Sequence, residues 1–173
     1  PSTANFAFTT NLSTGVMSKS ENIFQAPAPG VVPYSLLLQS QKSTDYLTGI
    51  VKETVYNSYD AYNLPTSVTS KTLLGNTLQS STITETVYDA PSFGAGSNYF
   101  IGRPNKITTT TSAYSDVKKS METLDYTNGN IWHKYTNVYA NGSTTTLDPV
   151  TLVETMSYYP NGLLKDKEMS ATG

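Results

Sequence analysis

The stretch YYPNGLLKDKE, Tyr158 to Glu168, decides how this chain reads. Two aromatics close one run, Pro-Asn-Gly supplies a corner, and Leu-Leu followed by alternating charge opens the next. The physics of such a phrase is local. An aromatic at a strand end packs on its neighbours, a short polar residue starts the turn, and a glycine supplies positive φ. An apolar or β-branched residue then begins the return strand. The phrase recurs. Tyr126-Thr-Asn-Gly129 precedes Asn-Ile-Trp, and Tyr59-Asp60-Ala-Tyr-Asn63 precedes Leu-Pro, with Asn63 where glycine would stand. Asparagine is the natural substitute at a left-handed position. Tyr88-Asp89-Ala opens another copy, completed by Gly102-Arg-Pro-Asn-Lys-Ile after an intervening stretch. Tyr46-Leu-Thr-Gly49 and Phe8 to Gly15 are fainter echoes.

Between the corners the chain alternates with a period of two. Ile83 and Val87 share a face with Glu85 between them. Val117, Lys119, Met121 and Thr123 oppose Asp116, Lys118, Ser120 and Glu122, and Trp132, Lys134, Thr136 and Val138 oppose Ile131, His133, Tyr135 and Tyr139. Leu152, Glu154, Met156 and Tyr158 continue the pattern. Each face mixes apolar with polar residues, which suits a large, shallow sheet better than a tight sandwich. Asn-Gly, the strongest short hairpin signal, stands at 128–129, 141–142 and 161–162. Helical periodicity is missing, and the nearest approach, Pro33 to Asp45, reads as extended or irregular. Residues 26–33 and 92–101, rich in Pro or Gly, read as loops or insertions. The expected fold is all-β, built of antiparallel hairpins.

Composition agrees. Ser and Thr together number 47, with 13 Asn and 13 Tyr, while only 14% of the 173 residues are charged. A net charge of −2, with both signs mixed along the chain, argues against a nucleic-acid partner. No apolar run is long enough for a membrane-spanning helix. There is no cysteine, so disulfides are excluded. A first residue that is proline, with neither cap nor tail at either end, is what a segment of a larger chain would show.

Four motifs in order, SYDAYNLPTSVTS, TVYDA with IGRPNKITTTT, LDYTNGNIWHKY and SYYPNGLLKDK, resemble the YD-repeat, or Rhs-repeat, family. They reach from about Val55 to Met169. The departures are Thr127 and Tyr159 in place of Asp, and Asn63 in place of glycine. The resemblance implies a long β-ribbon spiralling into a hollow shell, in bacterial polymorphic toxins, insecticidal toxin complexes, wall-associated proteins and teneurin-like ectodomains. It also implies the repeat-signature positions Tyr59, Asp60, Asn63, Tyr88, Asp89, Gly102, Tyr126, Gly129, Tyr158 and Gly162. Such a segment would be secreted or on a bacterial cell surface. It would enclose or present a C-terminal effector, and its strand edges would pair with the rest of its chain or with a partner. The alternative is an adhesin-like module that binds glycans through exposed aromatics such as Tyr56, Tyr62, Trp132 and Tyr159.

Catalytic chemistry finds little support. His133 is the only histidine, and without cysteine it cannot build an ordinary zinc site, so it reads as a strand residue. No Gly-x-Ser-x-Gly elbow or phosphate-cradling glycine loop occurs. Asp148-Pro149 resembles the self-cleavage motif of family toxins but lacks the following Gly-Leu, and reads as a turn between strands. The tyrosines, recurring at a fixed place, read as cross-strand ladders. Asn11-Leu-Ser and Asn141-Gly-Ser fit the glycosylation pattern, as chance allows at this composition. The expectation is therefore no catalytic residue, no metal and no cofactor.

Overall fold

The computed structural model describes residues 3–12, 15–25, 36–90 and 100–173, with side chains described from residue 17 onward within those ranges. The segments 26–33 and 92–99, read above as loops, and Ser13 of the first glycosylation pattern lie outside the described residues. The described residues form eleven strands: β1 (Thr3–Leu12), β2 (Gly15–Gln25), β3 (Leu37–Asp45), β4 (Ile50–Tyr59), β5 (Pro65–Leu74), β6 (Thr77–Tyr88), β7 (Pro104–Ala113), β8 (Asp116–Thr127), β9 (Asn130–Tyr139), β10 (Leu147–Tyr158) and β11 (Leu164–Thr172). No helix occurs among the described residues, so none there is long and apolar enough to cross a membrane. The fold is all-β and antiparallel, as period and turn chemistry led one to expect.

The chain divides into two compact units. The first holds Pro1–Ile83 with Ser112–Tyr114, and the second holds Thr84–Thr111 with Ser115–Gly173. In the first, β1 to β5 lie in sequence order, each antiparallel to the next. In the second, β7 to β11 follow the same rule, while β6 contributes residues to both. The described connections β3–β4, β4–β5, β8–β9, β9–β10 and β10–β11 each join strands that pair antiparallel, as hairpins do. The Thr-rich run Ile107 to Ala113 lies in β7, with a strand neighbour on either side. In the second unit the strand at the sheet's end is β11, exposed at every position.

Among the described residues neither unit shows a conventional core. Among the described residues the only buried hydrophobic is Leu124, 8% exposed, at the middle of the second unit. The alternation is real, yet its faces are inverted along β6. Ile83 and Val87 are 40% and 53% exposed, while Thr82, Thr84, Thr86 and Tyr88 are half-buried. With so little apolar area removed from water, cohesion rests on the backbone ladder and on cross-strand side-chain pairs, each worth about 0.2–1 kcal/mol.

Charge fixes which strand residues face each other. In the first unit Glu21 lies opposite Lys42, Lys42 opposite Glu53, and Glu53 opposite Lys71, with Lys71 Nζ 3.6 Å from Glu53. Four consecutive strands thus carry a row of alternating sign. The second unit carries its own row: Glu122 to Lys134 at 2.7 Å, Lys134 to Glu154 at 3.9 Å, and Glu154 to Lys167 at 2.5 Å. Hydrogen bonding to Glu122 raises the Lys134 ammonium pKa, and hydrogen bonding to Lys167 lowers that of the Glu154 carboxyl; in both cases partial desolvation opposes the shift. A one-residue slip of any strand would move its charge to the opposite face and break the row, so these pairs specify register where a hydrophobic core does not.

Candidate functional site

The signature tyrosines end the even-numbered strands, and three act as locks on the backbone. Tyr126 donates its hydroxyl to the Pro104 carbonyl at 2.7 Å, and Tyr158 donates to the Ile131 carbonyl at 2.7 Å. In the first unit Tyr59 makes the matching bond to the Leu38 carbonyl. Each ring therefore reaches from the end of one strand to the start of the strand before it. Burial raises the phenol pKa of Tyr59 and of Tyr126, which keeps the donor protonated. The rings were expected to form ladders. Tyr56 and Tyr59 stack at 6.1 Å, but within one strand.

The corners have the expected backbone: φ is 63° at Asn63, 79° at Gly102, 84° at Gly129 and 82° at Gly162. Their capping explains where the Tyr-Asp pair is kept and where it is lost. Asp60 Oδ1 accepts from the Tyr62 and Leu64 amides at 2.8 and 2.9 Å, and the loop closes through Asp60 N–H to the Leu64 carbonyl. At the corresponding loop Tyr159 has no carboxylate, and Asn161 Oδ1 takes over by accepting from the Leu163 amide at 3.1 Å. At Thr127 the hairpin turns on two residues, Asn128 and Gly129, both with positive φ. A turn that tight needs no side-chain cap. The echo at Tyr46 to Gly49 is also a genuine turn, capped by Asp45, but it joins an odd to an even strand.

Asp89 has a different task. Its amide donates to the Arg103 carbonyl at 2.8 Å, and Arg103 Nε donates to Asp89 Oδ2 at 2.6 Å. The guanidinium lies between two rings, 4.7 Å from that of Phe100 and 4.6 Å from that of Tyr126. Asp89, Arg103 and Tyr126 thus clasp the two ends of the long β6–β7 connection. Sequence reasoning marked Asp89 and Tyr126 and missed Arg103. The available signal was its place directly after the signature Gly102.

A recess lies in the second unit, between the β8–β9 and β10–β11 turns. It is a groove of about 750 Å³. Trp132 and Tyr159, 49% and 50% exposed, line it together with Met156 and Tyr158. Asn128, Asn130 and Asn161 supply amides, and no charged residue lines it. His133 stacks on Trp132 at 4.3 Å and lies 5.7 Å from Tyr135, so the lone histidine is a ring among rings. No cluster of His, Asp or Glu suited to a metal occurs among the described residues. Asp148-Pro149 is not a turn between strands. It lies inside β10 at a register irregularity, where Asp148 Oδ1 accepts from the Val150 amide at 2.9 Å. Proline lacks a donor for the ladder and is tolerated at such places.

No protein-family profile, no curated protein and no solved structure matches the chain significantly.

Proposed function

We propose that the chain is a wall segment of a YD/Rhs-type β-shell, secreted or displayed on a bacterial surface. Its task is to enclose or present another part of its own chain, an effector in the toxin members of that family, without catalysis of its own. The observation that carries this reading is the poverty of burial: eleven strands, with Leu124 the one buried hydrophobic among the described residues. Exposed apolar side chains such as Leu147, Val150, Leu152, Leu163, Leu164 and Met169 are left for something else to cover. The repeated tyrosine lock and corner supply a unit that can be strung along a ribbon at varying hairpin length. The β11 edge offers unpaired donors and acceptors to a further strand, from the same chain or from a partner.

Sedimentation velocity of residues 1–173 over a range of concentrations tests the reading. A wall segment associates, or stays soluble only when a covering strand is supplied. A compact monomer that unfolds cooperatively and binds no apolar dye would overturn it.

A further inference from the structure

The groove between the β8–β9 and β10–β11 turns has a chemistry of its own. Its wall combines two half-exposed aromatic rings, Trp132 and Tyr159, with side-chain amides and the Ser157 hydroxyl, and it carries no formal charge. Tyr158 is pinned at its base by the bond to the Ile131 carbonyl, and the His133 ring holds the indole in place. The polar groups are largely unspent. Among the described residues the amides of Asn128 and Asn130, the indole N–H and the Tyr159 hydroxyl have no hydrogen-bond partner, and Asn161 uses only its oxygen.

We propose that this groove binds a neutral oligosaccharide. Amides donate and accept at once, as a row of sugar hydroxyls requires. The aromatic faces stack on the apolar C–H face of a pyranose, with Trp offering the largest area. The absence of charge disfavours phosphate, sulfate and carboxylate ligands, whose desolvation nothing in the wall would offset. A volume of about 750 Å³ lies within the range that holds ligands of drug size, which corresponds to two or three sugar rings. Both turns are corners of the repeat, so the site is built where two signature phrases meet, and it stands whether or not the chain forms part of a shell.

Trp132 is the chain's only tryptophan, so its fluorescence reports occupancy directly. Cellotriose, chitotriose and maltotriose are titrated into the full chain, followed by indole emission and by calorimetry, beside a sulfated trisaccharide. The expected result is saturable binding of at least one neutral sugar, with a dissociation constant on the order of 1 mM or tighter. The sulfated sugar should bind more weakly. Trp132→Ala should weaken binding at least about tenfold by calorimetry. Tyr159→Ala, at an exposed turn position where folding is not at stake, should weaken it severalfold, while Tyr114→Ala should leave it unchanged. No binding of any neutral trisaccharide, equal binding of the sulfated one, or equal loss in Tyr114→Ala would each overturn the proposal.

Discussion

Alanine at Gly129 and alanine at Gly162 should differ in cost, and the difference can be worked from the structure. Both glycines sit in the left-handed region, at φ 84° and 82°. An L side chain there costs about 1–2 kcal/mol, offset by about 0.4–1 kcal/mol from the stiffer unfolded chain. A Cβ at Gly162 would meet nothing within 4 Å, so Gly162→Ala should cost only the net backbone term, about 0–1.6 kcal/mol. A Cβ at Gly129 would lie 3.1 Å from Phe100 Cζ and 3.4 Å from Cε1. That ring must shift by a few tenths of an ångström, and Arg103 already stacks on it at 4.7 Å. Forcing it off its rotamer adds about 0.5–1.5 kcal/mol, giving about 0.5–3 kcal/mol for Gly129→Ala. Hydrogen exchange at the β8–β9 and β10–β11 hairpin amides reads each opening free energy locally, whatever the association state. Repeating Gly129→Ala in a Phe100→Ala background should abolish the excess. If Gly129→Ala proves no costlier than Gly162→Ala, or if the excess survives without Phe100, the placement of that ring against the turn is wrong.

The tyrosine locks predict that Tyr126→Phe and Tyr158→Phe each lose about 0.5–1.5 kcal/mol of local protection, whereas Tyr159→Phe, whose hydroxyl has no partner among the described residues, loses none by the same exchange measurement. At the clasp, Arg103→Lys keeps the charge near Asp89 but forfeits the planar stack on Phe100 and Tyr126. It should therefore lose about half of the roughly 1.5–3 kcal/mol that Arg103→Ala loses in denaturant titration. The charge row of the second unit gives a pH window. Glu154, its pKa depressed by hydrogen bonding to Lys167, contributes stability that is present above the ordinary glutamate value of about 4.3 and lost as pH falls through its lower folded value. Lys134, its pKa raised by Glu122, contributes stability present below about 10.4 and lost as pH rises through its higher folded value. Exchange protection of β8 to β11 should then be flat between these limits and fall outside them, and Glu154→Gln should remove the acid limb. Tyr114 is 93% exposed and held at φ 56°, so Tyr114→Asn should stabilise the β7–β8 turn by about 1 kcal/mol, read as a rise in denaturation midpoint.

Residue chemistry along the chain was enough to set the class of structure and the positions of the corners. Period-two alternation excludes helix wherever it is sustained, and only glycine or asparagine enters the left-handed region cheaply. Hence strands, and positive φ at Asn63, Gly102, Gly129 and Gly162, follow from residue chemistry alone. The kind of turn did not follow. The three Asn-Gly pairs make three different corners. Both residues of Asn128-Gly129 have positive φ in a two-residue hairpin, Gly142 alone does inside a turn closed by the Ser143 amide on the Ala140 carbonyl, and Gly162 alone does at the end of a turn closed on Tyr159. Strand register decides among them, because it fixes how many residues are left to span the gap between paired strands. Register is itself a tertiary quantity, set by pairings such as Glu53 with Lys71 and Lys134 with Glu154, which lie 18 and 20 residues apart. The groove is likewise invisible along the chain. Trp132 and Tyr159 are separated by a whole hairpin and become neighbours only when β9 and β10 lie side by side. Arg103 gains its role only when the β6–β7 connection returns it to Asp89, and Tyr126 arrives from β8 to cover it. Turn chemistry acts over four or five residues and can be read from them. Cross-strand chemistry acts between residues that only the folded sheet brings together.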